Sequence, residues 1–277
     1  MDGRAQAGFV AARVRAQNPV LRARSDGEEA RFAVVAGRDL REMAGMKVAF
    51  ISGTSIVRSE QFASWTVKTI ATPHGVVAYK ARGDFVLINR HGFGRPLPPH
   101  AIDHRANIRA LAELGYTDIV SLNSVGSLKP ELPPGTLVSC SDYVGLQQGP
   151  ATFFDDELKG GAPGMANNLI PLLAENLAPE LPIHPGKIYV QVRGPRFETK
   201  AEIRILRDWG DVVGMTAAHE ADLCCELGLR YNSLALIDNY ANGIEGAEID
   251  FEKFTLLVKE NQAKVDRLFV RMLEILG

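Results

Sequence analysis

The sequence predicts an α/β fold, and three observations carry that prediction. Short apolar runs recur along the chain, amphipathic stretches of helical period lie between them, and 46% of the 277 residues are apolar, enough to bury a sizeable core. The first run is KVAFIS, from which a domain start is placed at Met46; it is a strand followed by Gly53-Thr54-Ser55. FVLINRHG, 85–92, repeats the form of strand then polar turn. AIDHRANIRALAELG, 101–115, is a helix, because Ile108, Leu111 and Leu114 share a face and Gly115 can end it. DIVSLNSVGSL, 118–128, and GTLVSCSDYV, 135–144, are further strands. Residues 145–186 break the pattern with GLQQGP, Phe153-Phe154, GGAPG and prolines around a short helix; they are read as a mobile or inserted stretch. Order returns with KIYVQVRGPRFET, then AEIRILRDWG as helix, DVVGMT as strand, AAHEADLCCELG as helix and LALIDNYANG as strand. A single final helix follows, with Asp250 as its N-cap; Phe254, Leu257, Val258, Val265, Leu268, Met272 and Leu276 keep a spacing that favours packing.

A net charge of −2 with intermixed signs offers no footprint for nucleic acid or an anionic membrane, so a small ligand is the expected partner. No run of eighteen apolar residues suggests a membrane span. Cys140, Cys224 and Cys225 form neither a disulfide ladder nor a metal-binding pair, which fits a reducing, cytoplasmic setting; Cys224 and Cys225 are read as buried thiols of a helix. Residues 1–45 lack a long apolar segment and are expected to be a loosely packed extension before a domain at 46–277.

The strand ends hold polar groups. Gly53-Thr54-Ser55 can present backbone amides and hydroxyls to an anion, or be an ordinary turn. Arg90 and His91 add a guanidinium fork and a donor of variable charge, although an isolated arginine there is as readily an edge ion pair. Asn123-Ser124-Val125-Gly126-Ser127 and Gly214-Met215-Thr216 are two more small-residue turns; together these would make a phosphate-sized site of neutral donors and one cation. The histidines and carboxylates are too scattered for a catalytic metal, and no GxSxG accompanies the serines. In LALIDNYANG, strand alternation puts Asn239 with Ile237 and Ala241, and Asp238 with Tyr240 on the other face, unless a bulge intervenes.

ISGTS, RHG, PPHAIDHRANIRALAELG, NSVGSL, GPRFETKAEIR, DVVGMTAAHEADL and NYANG occur in an order and spacing that resemble the trimeric purine nucleoside phosphorylase and methylthioadenosine phosphorylase family over some 230 residues. The resemblance implies a single domain with a distorted mixed sheet, a homotrimer or dimer of trimers, and reversible phosphorolysis of an N-glycosidic bond. It assigns no cofactor; inorganic phosphate is the co-substrate. By the same resemblance Thr54, Arg90, His91, Ser124 and Thr216 bind phosphate, Ser124 through its backbone. Met215 contacts the sugar, Phe197 packs on the purine, and Glu198 and Asn239 meet its edge beside Ala241. Asn239, Glu198 and His91 are the candidate catalytic residues. From the residues alone, Phe197 could equally be core and Glu198 a first-turn cap. Members specific for 6-aminopurines carry two aspartates where this chain has Asn239 and Ala241, and a serine for Glu198. An amide can face N7 and O6, and an ionised glutamate accepts N1–H, so a 6-oxopurine nucleoside of the inosine or guanosine type is expected. The implied chemistry is an SN1-like displacement: Asn239 donates to N7 as charge grows on the base, and phosphate stabilises the ribosyl cation before attacking C1′.

Departures include His104 within DHRAN, His219 before Glu220, and GGAPGMANN, so the 5′ substituent is left open between hydroxyl, methylthio and a more unusual group. S-methyl-5′-thioinosine or methylthioadenosine phosphorylase, a nucleoside hydrolase and a non-catalytic purine-binding protein are the alternatives.

Overall fold

The computed structural model describes residues 47–56, 59–146, 152–157, 159, 161–249 and 251–277. The expectations for residues 1–45 and for Asp250 as a cap lie outside these. Among the described residues nine strands build the sheet: β1 (Val48–Ser52), β2 (Thr66–Thr72), β3 (Gly75–Arg82), β4 (Phe85–Asn89), β5 (Asp118–Ser127), β6 (Leu137–Val144), β7 (Ile183–Gln191), β8 (Val212–Gly214) and β9 (Arg230–Tyr240). The helices are α1 (His104–Glu113), α2 (Ile170–Leu177), α3 (Lys200–Trp209), α4 (Ala217–Glu226), α5 (Phe251–Glu260) and α6 (Gln262–Leu276).

The sheet order is β2-β3-β4-β1-β5-β8-β7-β6-β9, and β9 also pairs with β5. Strands β5, β8, β7, β6 and β9 therefore close into a ring, from which β1, β4, β3 and β2 extend as a wing. Pairing is mixed: β1 runs parallel to β4 and β5, whereas β8 is antiparallel to β5 and β6 to β9. This is the distorted mixed sheet that the resemblance implied.

Each face of the sheet has its own core, which explains why β1 is apolar at consecutive positions rather than at alternate ones. Ala49 and Ile51 pack with Ile108 and Leu111 of α1 and Ala217, Ala221 and Cys224 of α4. Val48 and Phe50 pack with Leu173 of α2 and Val265, Leu268 and Phe269 of α6. The amphipathic faces of α1 and α4 thus cover one side, and those of α2 and α6 the other.

Three sequence expectations change. The final helix is two, joined at Asn261, whose backbone accepts from Lys264 and Val265 while its amide donates to Leu257. The stretch read as mobile or inserted contributes the first residues of β7, which begins at Ile183. Cys225 is exposed although Cys224 is fully buried, because one helical step rotates a side chain by about 100° off the buried face. The β2–β3 hairpin was not read from the sequence.

Candidate active site

The turn after β1 and the end of β4 meet at a glycine. A side chain at Gly53 would fall 3.0 Å from both Arg90 Nη1 and His91 Nε2, so its absence lets the two side chains reach the backbone of the Thr54 turn. Arg90 is buried, and its fork is largely committed inside the protein. Nε–H donates to Glu220 Oε1 at 2.6 Å and Nη2–H to Glu220 Oε2 at 3.0 Å. Ser121 Oγ takes a second Nη2–H at 2.9 Å and Leu122 O takes one from Nη1 at 3.2 Å. Of five N–H groups, one on Nη1 is left for an anion. Most of the fork that the sequence offered to an oxyanion is therefore spent on Glu220, Ser121 and Leu122.

Glu220 is fully buried on α4. Burial pushes its carboxyl up, but Arg90 outweighs this and holds it below the ordinary glutamate value, with Tyr231 Oη–H donating at 2.7 Å. The pair is thus an anchor for Arg90 more than a source of free charge.

His91 Nδ1 lies 2.7 Å from Leu97 O, and a carbonyl only accepts, so the proton sits on Nδ1. Burial lowers its pKa, which favours the neutral ring. Neutral His91 then presents a bare Nε2 beside Gly53. It can accept from a protonated phosphate oxygen, in place of the donor role that the sequence suggested.

Thr216 begins α4. Its amide and that of Ala217 donate to Tyr189 Oη at 3.1 and 3.4 Å, and Ala218 N–H donates to Gln191 Oε1 at 3.1 Å. The helix N-terminus is therefore capped from β7, and the Thr216 hydroxyl, 3.4 Å from Asn123 Oδ1, is the group it can turn to a ligand. Gly214 makes this capping possible: a methyl there would stand 2.3 Å from Tyr189 Oη.

At the other end, Thr199 and Glu202 form a capping box on α3, and Arg196 holds Glu202 with two bonds of 2.8 and 2.7 Å. The cap is Glu202, so Glu198 lies outside the helix and is free for another task. Its backbone carbonyl accepts from Asn242 Nδ2 at 3.1 Å, and burial raises its carboxyl pKa. Phe197 sets its ring edge against Phe254 of α5, centroids 5.5 Å apart.

The β5–β9 pairing decides the direction of Asn239. Val125 pairs with Ile237, but Gly126 pairs with Asn239, leaving Asp238 as an extra residue in a β-bulge. Asn239 consequently leaves the face of Ile237, and its Nδ2 would lie 3.3 Å from a methyl on Gly126. The expected sharing of a face with Ile237 is overturned by the bulge, whereas Asn239 and Ala241 border the same cavity, as alternation read them. Asp238 is turned away because Ser124 Oγ–H and Asn261 Nδ2–H hold its carboxylate.

One cavity of about 360 Å³ gathers all these ends. Thr54, Arg90, His91, Ser124 and Thr216 line it together with Phe197, Glu198, Met215, Asn239 and Ala241. Its remaining walls include Leu97, Pro98, Pro99, Ile249 and Phe254. Phe254, read as a packing residue, borders the cavity from α5, which precedes the junction at Asn261. Glu220 was missed as a functional residue. Its signal was present: a carboxylate on the apolar stripe of Ala217, Ala221 and Cys224, with no basic residue three or four positions away. Among the described residues no group of three or more His, Cys, Asp or Glu is placed to hold a metal, and no helix is long and apolar enough to cross a membrane.

The Glu198 shift has a signed consequence. If the ionised carboxylate accepts the base N1–H, kcat/KM for a 6-oxopurine nucleoside is expected to rise with pH through a value above the ordinary glutamate range. Glu198→Gln should flatten that limb in a pH–rate profile, and an unchanged limb would remove Glu198 from this role. For folding the sign is opposite. A raised carboxyl binds its proton more tightly when folded, so its contribution is favourable at low pH and is lost as pH rises through the folded value.

Comparison with known proteins places this geometry. The Phosphorylase superfamily pattern matches residues 47–274. A probable 6-oxopurine nucleoside phosphorylase of Archaeoglobus fulgidus is 36% identical over 220 residues, covering 77% of this chain and 90% of that protein. A probable S-methyl-5′-thioinosine phosphorylase of Methanocaldococcus jannaschii is 37% identical over 224 residues, covering 79% and 88%. The methylthioadenosine phosphorylase of Schistosoma mansoni in complex with adenine shares the fold, with a TM-score of 0.72 at 24% identity over 84% of this chain and 92% of that one. The chain belongs to the phosphorylase superfamily: it is a glycosyl-transferring enzyme that takes inorganic phosphate as co-substrate, close to both the purine nucleoside and the methylthionucleoside phosphorylase branches.

Proposed function

We propose that the enzyme phosphorolyses a 6-oxopurine nucleoside carrying an apolar 5′ substituent, with S-methyl-5′-thioinosine as the representative substrate and inosine as the second. The observation that carries the base preference is the composition of the cavity's base end: one amide, Asn239, one carboxylate, Glu198, and Ala241 with no second acid. Asn239 has one free N–H for N7, and Glu198 accepts the N1–H that only a 6-oxopurine carries. An adenine ring would leave one of these buried groups unpaired, at a cost of about 1–3 kcal/mol. The 5′ preference rests on the apolar lining outside the named phosphate and base groups, which includes Leu97, Pro98, Pro99 and Ile249.

In this reading phosphate sits among Thr54, the free Arg90 N–H, His91 and Thr216, with backbone help at Ser124. As the glycosidic bond stretches, Asn239 donates to N7 while the bound anion stabilises the ribosyl cation and then attacks C1′. The placement of Arg90 and Thr216 on one cavity favours phosphorolysis over hydrolysis, because water needs no such cradle.

A panel of S-methyl-5′-thioinosine, inosine, guanosine, adenosine and methylthioadenosine, with and without phosphate, tests the proposal. Base release should require phosphate and be greatest for S-methyl-5′-thioinosine. Undiminished release without phosphate would establish hydrolysis, and binding without cleavage would establish a non-catalytic protein. Faster cleavage of methylthioadenosine than of S-methyl-5′-thioinosine would overturn the base assignment. A homotrimer or dimer of trimers is the assembly we expect, readable from the mass in solution.

A further inference from the structure

Asp238 is a buried carboxylate that the reaction above does not use. It is 2% exposed, and it is the extra residue of the β9 bulge. Its two oxygens meet neutral donors from two different elements. Ser124 Oγ–H comes from β5, in the phosphate wall, and Asn261 Nδ2–H comes from the α5–α6 junction at 2.7 Å. The next residue along the chain is Asn239, in the base wall. Asn261 in turn ends the helix whose Phe254 borders the cavity.

We infer that Asp238 is a positioning residue that locks the phosphate wall, the base wall and the α5–α6 junction into one arrangement, by holding Ser124 and Asn261 while its bulge aims Asn239.

The physical case is one of connectivity. A bulge leaves its extra residue outside the ladder, so the strand there is held by side chains instead of by backbone pairing. The only side chain at that point is a carboxylate, which accepts several hydrogen bonds and donates none when ionised. Burying it costs free energy unless those bonds are made, so the three elements are coupled through the requirement to satisfy it. Removing the carboxylate releases the Ser124 hydroxyl, the Asn261 amide and the Asn239 backbone at once. Both subsites should then lose definition from a change that touches neither ligand.

The role of Ser124 and Asn239 as phosphate and base contacts rests on the function proposed above, so the test separates the two. Calorimetric binding of hypoxanthine and of inorganic phosphate to the intact chain is measured alongside steady-state phosphorolysis, for Asp238→Ala, Asp238→Asn, Ser124→Ala and Asn261→Ala, at a temperature where circular dichroism shows each variant folded. Asp238→Ala is expected to weaken both ligands several-fold and to lower kcat by at least tenfold. Asp238→Asn, which keeps an acceptor in place, should recover most of both. Ser124→Ala combined with Asp238→Ala should lose less than the sum of the single changes, as coupled groups do. If Asp238→Ala keeps both affinities and kcat within twofold while only lowering Tm, the residue is structural and the inference fails. If the parent binds both ligands but cleaves no nucleoside, the proposed function fails while the affinities still decide the role of Asp238.

Discussion

Glu220→Gln is expected to lower Tm by on the order of 10 °C and to raise the KM for phosphate. The change leaves the Arg90 guanidinium charged and buried with its principal counterion removed. Breaking one side of a buried pair costs about 3–5 kcal/mol, and a domain of this size loses roughly 2–4 °C of Tm per kcal/mol. The catalytic effect follows from the same geometry. Nε and Nη2 are fixed by Glu220, so the one uncommitted N–H on Nη1 points where the carboxylate aims it. Scanning calorimetry and phosphate-dependent kinetics on the same preparation check both halves. A paired Arg90→Met, Glu220→Gln variant should recover stability relative to Glu220→Gln alone without recovering phosphate affinity, because removing the charge removes the desolvation problem but also the ligand. A Glu220→Gln enzyme with parental Tm and phosphate KM would show that the pair anchors nothing.

Asn239→Asp is expected to reduce kcat/KM for 6-oxopurine nucleosides by about 10²–10³, the usual effect of losing one donor aimed at developing charge. Asn239 Nδ2 donates to Tyr240 O at 2.8 Å, and its second N–H is the one available to N7. A carboxylate there would donate neither bond and would face the Tyr240 carbonyl as a second acceptor. It would also stand next in sequence to Asp238, whose own carboxyl is already raised by burial. Comparing inosine-type with adenosine-type substrates is the decisive measurement, since the change brings the base end closer to the acidic pattern of 6-aminopurine enzymes. Unchanged 6-oxopurine turnover would remove Asn239 from the catalytic set.

Much of the fold was legible in the sequence because burial imposes periodicity. The apolar runs of β1, β4, β5 and β9 and the helical spacing of α1 and α4 can be read one residue at a time. The site was legible for a related reason: Gly53, Gly126 and Gly214 mark places where another group comes close to the backbone, and polar residues follow each of them. Where the reading failed, two distant segments had to be known together. Glu220 was marked by its place on an apolar stripe, but its partner Arg90, 130 positions earlier, could be named only once the two were placed together. Phe254 looked like core until α5 was placed beside the cavity.

Residues 238 and 239 show the division most clearly. By itself the sequence determined that an acid and an amide adjoin at the end of a buried strand, and that position 241 lacks an acid, since these are properties of composition and order. Alternation also set Asn239 apart from Asp238, but which neighbours each side chain meets was decided by tertiary structure. The face of a strand residue is set by its register against a partner, and the register of β9 shifts by one where Asp238 finds its hydrogen bonds on Ser124 and Asn261.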